Sequence, residues 1–77
     1  MLTLYGRPDC HLCDEMLAAL EPLLAGRVPV ELIDISDDDE LEALYGLRIP
    51  VLCAGETELC CYMLDSERVT AWLRRKV

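Results

Sequence analysis

No phenylalanine occurs in the 77 residues, so Leu, Val, Ile and Ala must build whatever core the chain has. No apolar run approaches the roughly 20 residues that span a bilayer, and the first residues show no basic region, extended apolar stretch or cleavage site. No membrane association and no signal peptide are therefore expected. Basic residues are scarce: 7 Lys and Arg stand against 15 Asp and Glu, for a net charge of −8. That balance argues against nucleic acid or an anionic membrane surface as the main partner. The five cysteines are an odd number, which rules out a fully paired disulfide framework of the kind that staples secreted scaffolds. A reducing cytoplasm is the expected compartment. The length allows one domain over residues 1–77, with one modest core, and a monomer is the default.

What is present is concentrated near the N-terminus. Cys10-His11-Leu12-Cys13 follows a short apolar strand at 2–5 and a turn, Gly6-Arg7-Pro8-Asp9. It opens a helix over about 11–25 that carries Met16, Leu17, Leu20, Leu23 and Leu24 at helical spacing. Pro22 should kink that helix or break its last turn, and Gly26 supplies its stop. In this position the first thiol meets unpaired backbone N–H groups at the positive end of a helix dipole. That setting favours the thiolate, the species that attacks a disulfide. Arg7 and a charged His11 would add to the effect, whereas Asp9, Asp14 and Glu15 oppose it. Cys13, one helical turn on, is close enough to resolve a mixed disulfide.

Val28 to Ile35 reads as a second strand, which makes strand-helix-strand a βαβ unit with parallel strands. Ser36 is the expected cap of the next helix, with Asp39 three residues on; Leu41, Leu44 and Tyr45 lie on this helix and Gly46 ends it. Val51-Leu52-Cys53 and Leu59-Cys60-Cys61-Tyr62 flank Ala54-Gly55-Glu56-Thr57 as an antiparallel hairpin. Asp65 or Ser66 caps a last helix, with Val69, Trp72 and Leu73 inward and Arg74, Arg75 and Lys76 at its negative end. The fold class is α/β: a four-stranded mixed sheet flanked by helices, in the order βαβ-α-ββα.

No metal site is expected. Cys60 and Cys61 are adjacent rather than spaced as zinc ligands, and the acidic run Ser36 to Glu40 suits a helix start and lacks calcium-loop spacing. Cys53, Cys60 and Cys61 read as small strand hydrophobes. A second redox couple, or an intermolecular disulfide, involving the more outward-facing of Cys60 and Cys61 is the alternative.

Tyr5-Gly6-Arg7-Pro8-Asp9-Cys10-His11-Leu12-Cys13 resembles the active-site segment of glutaredoxins, and Arg48-Ile49-Pro50-Val51 resembles the cis-proline signature of the thioredoxin fold. The chain as a whole looks closest to short bacterial glutaredoxin-like proteins. The resemblance implies a thioredoxin-like fold and thiol–disulfide oxidoreductase activity on protein or glutathione mixed disulfides. It implies Cys10 as nucleophile and Cys13 as resolving thiol. Arg7, His11, Leu12, Arg48, Ile49 and Pro50 would lie around the substrate. A cis bend would offer the backbone of Ile49 to an extended segment as an added strand. No bound cofactor is needed; glutathione is a possible co-substrate, and a reductase system must restore the thiols.

The sequence departs from the glutaredoxin pattern at three places. No Gly-Gly pair follows the hairpin, Leu12 replaces the aromatic residue inside CxxC, and Arg48 replaces the threonine before Ile-Pro. Two alternatives follow: a protein disulfide reductase fed by thioredoxin reductase, and a non-catalytic module that binds a partner or an iron–sulfur cluster. For a four-thiolate cluster one Cys10–Cys13 pair is too few without a shared ligand set.

Overall fold

The computed structural model describes residues 1–76. Its elements are β1 (Leu2–Gly6), α1 (His11–Leu24), β2 (Val30–Asp34), α2 (Asp39–Tyr45), β3 (Val51–Ala54), β4 (Thr57–Cys61) and α3 (Ser66–Lys76). The strands form one sheet in the order β2-β1-β3-β4. β1 and β2 are parallel, as a βαβ crossover demands, while β3 pairs antiparallel with both β1 and β4.

Alternation along β1 sorts the two faces. Leu2 and Leu4 are buried with Leu52 of β3 and Leu59 of β4, against Met16, Leu20 and Leu24 of α1 and Val69 and Leu73 of α3. This is the core, and it contains no aromatic ring among its fully buried members. The opposite face carries Tyr5, which stacks on Tyr45 of α2 with ring centroids 4.4 Å apart. α2 itself buries no residue fully and Leu44 stays exposed, so this helix lies lightly on the sheet.

Several local expectations are corrected. β2 starts at Val30 rather than Val28 and ends at Asp34, because Arg27 N–H closes back onto Leu24 O and Ile35 turns into the core. α2 is capped by Asp38, not Ser36: the Asp38 carboxylate accepts from the N–H groups of Glu40 and Leu41, at 3.0 and 3.1 Å. The N–H of Ser36 instead donates to Asp34 Oδ1 at 2.8 Å, closing a tight turn after β2.

Helix α1 runs through Pro22 to Leu24 with its last turn intact. The N–H of Ala25 donates to Glu21 O at 2.9 Å, and Ala25 itself takes the left-handed cap position with φ 49°. The hairpin is tighter than expected: only Gly55 and Glu56 separate the strands, and the left-handed φ of 62° at Gly55 suits a glycine. Asp65 caps α3 through the N–H of Arg68, at 3.1 Å. Arg74 and Arg75 fall in its last turn; the Lys76 side chain, expected there too, and Val77 lie outside the described residues. Among the described residues no helix is long and apolar enough to cross a membrane.

Candidate active site

Pro8 and Asp9 form the turn between β1 and α1, with Asp9 at φ 61°, a left-handed conformation that Asp tolerates better than most residues. The turn delivers Cys10 to the N-cap of α1 with extended backbone, φ −92° and ψ 106°. There the Cys10 Sγ accepts a hydrogen bond from the Cys13 N–H at 3.1 Å. An orphan donor of the helix start thus points at the sulfur, as the first turn of a helix provides.

Cys10 and Cys13 are joined as a disulfide with their Cα atoms 5.2 Å apart, inside the range that a bridge requires. Their environments differ. Cys10 is half-buried and Cys13 is buried, at 9% exposure. The Cys13 sulfur lies against β1, where a Cβ built on Gly6 would come within 2.7 Å of it. An open pocket of about 220 Å³ adjoins it, lined in part by Leu4, Pro8, Leu17 and Leu32 together with the charged Arg7, Asp14 and Asp34.

The Ile49–Pro50 peptide bond is cis, and its position follows from register. Tyr5 of β1 pairs with Val51 of β3, so Pro50 enters the sheet beside Gly6, at the end where the thiols are. Pro50 is fully buried, and its carbonyl accepts from the N–H of Tyr62 at 2.9 Å. Gly6, Cys10, Cys13, Pro50 and Tyr62 therefore meet at one end of the sheet.

The other candidate residues divide into two groups. Leu12 is 45% exposed on the outer face of the first helical turn. His11 is exposed beside it, with Nε2 3.4 Å from Glu15 Oε2. The two arginines are tied into the α2 side. The Arg7 guanidinium pairs with Glu42. Arg48 pairs with Glu58, donates to Leu44 O at 3.0 Å and lies 5.6 Å over the Tyr45 ring.

The remaining cysteines occupy both faces. Burial pushes the Cys53 and Cys60 thiols above the ordinary cysteine value. Cys53 lies by the Tyr45 hydroxyl, whose ionisation is itself displaced upward, mainly by desolvation. Cys60 packs on the α1–α3 core, whereas Cys61 faces the Arg48 guanidinium. The two alternate as a strand requires and both are half-buried, Cys60 against the helical core and Cys61 beside Arg48. No group of three or more metal-ligating side chains occurs among the described residues.

Sequence reasoning missed Gly6, Tyr62 and Met63. A glycine ending the strand before CxxC was the available signal for Gly6. Tyr62 and Met63 stand where the hairpin should turn polar, yet they are 49% and 77% exposed. Tyr62 has φ 67°, rare for a bulky residue, and its hydroxyl donates to Leu47 O. The ring thereby closes the space between the end of β4 and the loop before Pro50.

A glutaredoxin-like domain family (DUF836) matches residues 1–74. No protein of curated function matches the chain. Among solved structures, the protein XcR50 from X. campestris is 45% identical, covers 97% of each chain and superimposes with a TM-score of 0.79. Protein Ne2328 from Nitrosomonas europaea is 43% identical over 92% of this chain and 87% of its own, with a TM-score of 0.84. Thioredoxin 1 from Thermosipho africanus shares 14% identity over 97% and 96% of the two chains, with a TM-score of 0.61, a likeness of fold alone. On the match over residues 1–74, this chain belongs to the glutaredoxin-like domain family, built on the thioredoxin fold.

Proposed function

We propose that the protein is a thiol–disulfide oxidoreductase in which Cys10 attacks and Cys13 resolves. One observation carries the reading: an accessible sulfur at a helix N-cap, accepting a backbone N–H, paired with a buried sulfur one turn on. In the reduced protein the Cys10 thiolate attacks one sulfur of a substrate disulfide, whose S–S bond breaks and releases the first substrate thiol. Cys13, as thiolate, then attacks Cys10 Sγ, and the second substrate thiol leaves. The substrate gains two electrons and two protons; Cys10 and Cys13 lose them and close their disulfide. An external dithiol or glutathione must return the pair to its reduced form.

Burial of Cys13 supports this order of events, because a substrate reaches Cys10 first and the resolving thiol waits behind it. Ile49, next to the cis peptide, presents its backbone to an extended substrate in the manner of an added strand. Unpaired Cys53, Cys60 and Cys61 suit a reducing cytoplasm.

The test is NADPH consumption in two coupled systems, one with glutathione and glutathione reductase, the other with thioredoxin reductase. Turnover in either system that vanishes in Cys10→Ser supports the proposal, and the system that works identifies the reductant. Failure of the reduced wild type to cleave any disulfide in a single turnover would reject it.

A further inference from the structure

An apolar groove begins at the CxxC motif itself. Leu12, Met16, Ala19, Tyr62, Met63 and Leu64 line it, together with one carboxylate, Glu15, around a volume of about 420 Å³. Leu12 lies between the two active-site cysteines in sequence, and Tyr62 is bonded to the carbonyl of Pro50. The groove is thus lined by neighbours of both signatures, CxxC through Leu12 and the cis-proline through Tyr62. Met63, 77% exposed, and Leu12 put apolar surface in water at its rim.

The carboxylates around it are acidic neighbours of the thiols, and the titratable group beside them is His11, whose Nε2 lies 3.4 Å from Glu15 Oε2. Asp9 and Asp14 flank Cys10 and Cys13 in sequence, Glu15 lines the groove, and no basic side chain is in its lining among the described residues. The cations closest in sequence to the two signatures, Arg7 and Arg48, are already neutralised by Glu42 and Glu58. An anionic tripeptide with free carboxylates finds no unpaired arginine in that lining. An apolar segment carrying Lys or Arg complements both the surface and the net charge of −8.

We propose that this groove docks the polypeptide flanking a substrate disulfide, and that it selects apolar, basic protein segments over glutathione disulfide. The inference rests on the thiol–disulfide chemistry proposed above and assigns that site its substrate class. Tyr62 acts as a specificity-determining wall: its ring fills the space beside Pro50, and its hydroxyl is turned away to Leu47 O.

The experiment follows single-turnover oxidation of the reduced protein by four disulfides, read as thiol released. The probes are an apolar Lys-containing peptide disulfide, a Ser- and Glu-containing peptide disulfide of equal length, glutathione disulfide and uncharged 2-hydroxyethyl disulfide. The basic apolar peptide should react about tenfold faster than the acidic peptide and glutathione disulfide at low salt, with the gap narrowing as salt rises. Glu15→Gln should reduce the basic-over-acidic ratio, and Met63→Ser the ratio of apolar peptide to 2-hydroxyethyl disulfide. Equal rates for the two peptides, or glutathione disulfide as the fastest probe, would overturn the substrate assignment while leaving the chemistry intact. No reaction even with 2-hydroxyethyl disulfide would overturn the chemistry and this inference with it.

Discussion

Gly6 and Cys13 are in direct contact: a methyl group on Gly6 would lie 2.7 Å from the Cys13 sulfur and 3.3 Å from its Cβ. The last residue of β1 therefore sets how deeply the resolving thiol sits in the first turn of α1. Gly6→Ala must displace that sulfur or bend the strand, a change that costs about 1–3 kcal/mol when added atoms meet a packed site. The variant should keep the attack by Cys10 and slow resolution by Cys13. Mass spectrometry of quenched single turnovers should then show accumulated mixed disulfide, absent from the wild type. Unchanged resolution and stability would show that the strand yields freely.

Thiol reactivity should rank by environment. Cys10 is half-buried and its sulfur accepts the Cys13 N–H, whereas burial holds the Cys53 and Cys60 thiols above the usual range. Iodoacetamide should label Cys10 first, because its sulfur is the more accessible of the pair. Cys53 and Cys60 should label only after unfolding. Peptide mapping against time settles the order, and early labelling of Cys53 would contradict its placement under Tyr45.

The cap of α2 is a sharp test of local structure. Asp38→Ala removes the acceptor for two N–H groups and should cost about 0.5–2 kcal/mol. Ser36→Ala, which leaves the Ser36 N–H bonded to Asp34, should cost less. Urea midpoints of the two variants provide the comparison; a larger loss for Ser36→Ala would restore the serine as the cap.

Asp34 links stability to acid. The Ser36 hydroxyl and N–H, with Arg7 nearby, hold its carboxyl below the ordinary value of 3.8 against a small opposing cost of burial. A carboxyl depressed in the folded state contributes stability that is fully present above its unfolded pKa of about 3.9 and is lost as pH falls through the folded value. Asp34→Asn should therefore narrow the stability gap between pH 5 and pH 2.5. Urea midpoints measured across that range would show the same slope in both proteins if the group were not linked to folding.

The Arg7–Glu42 pair joins the active-site turn to α2, with both side chains about one-third exposed, at 38% and 34%. An ion pair so open to water contributes at most about 1 kcal/mol. Its larger effect is on electrostatics, since it takes the nearest upstream cation of the CxxC segment out of play.

Sequence by itself determined the order of elements, the parallel pairing of β1 with β2 and the placement of Cys10 at a helix start. These follow from short-range rules: periodicity, turn residues, and the handedness of a crossover. The core was equally legible in the leucines at helical spacing in α1 and in the alternation along β1. The chemistry of Cys10 and Cys13 was legible for the same reason, because spacing of three along a helix start brings the two sulfurs together without help from the rest of the chain.

Only the tertiary structure decided what surrounds them. Gly6 meets Cys13 across a turn, Tyr62 reaches Leu47 across 15 residues, and Arg7 reaches Glu42 across 35. No local pattern encodes such pairs, since they depend on how β1, β3 and β4 register at one end of the sheet. The same dependence explains why Arg7 and Arg48 read as free charges in the sequence. Their partners, Glu42 and Glu58, become neighbours only when α2 packs on the Tyr5 face of the sheet and β4 pairs beside β3.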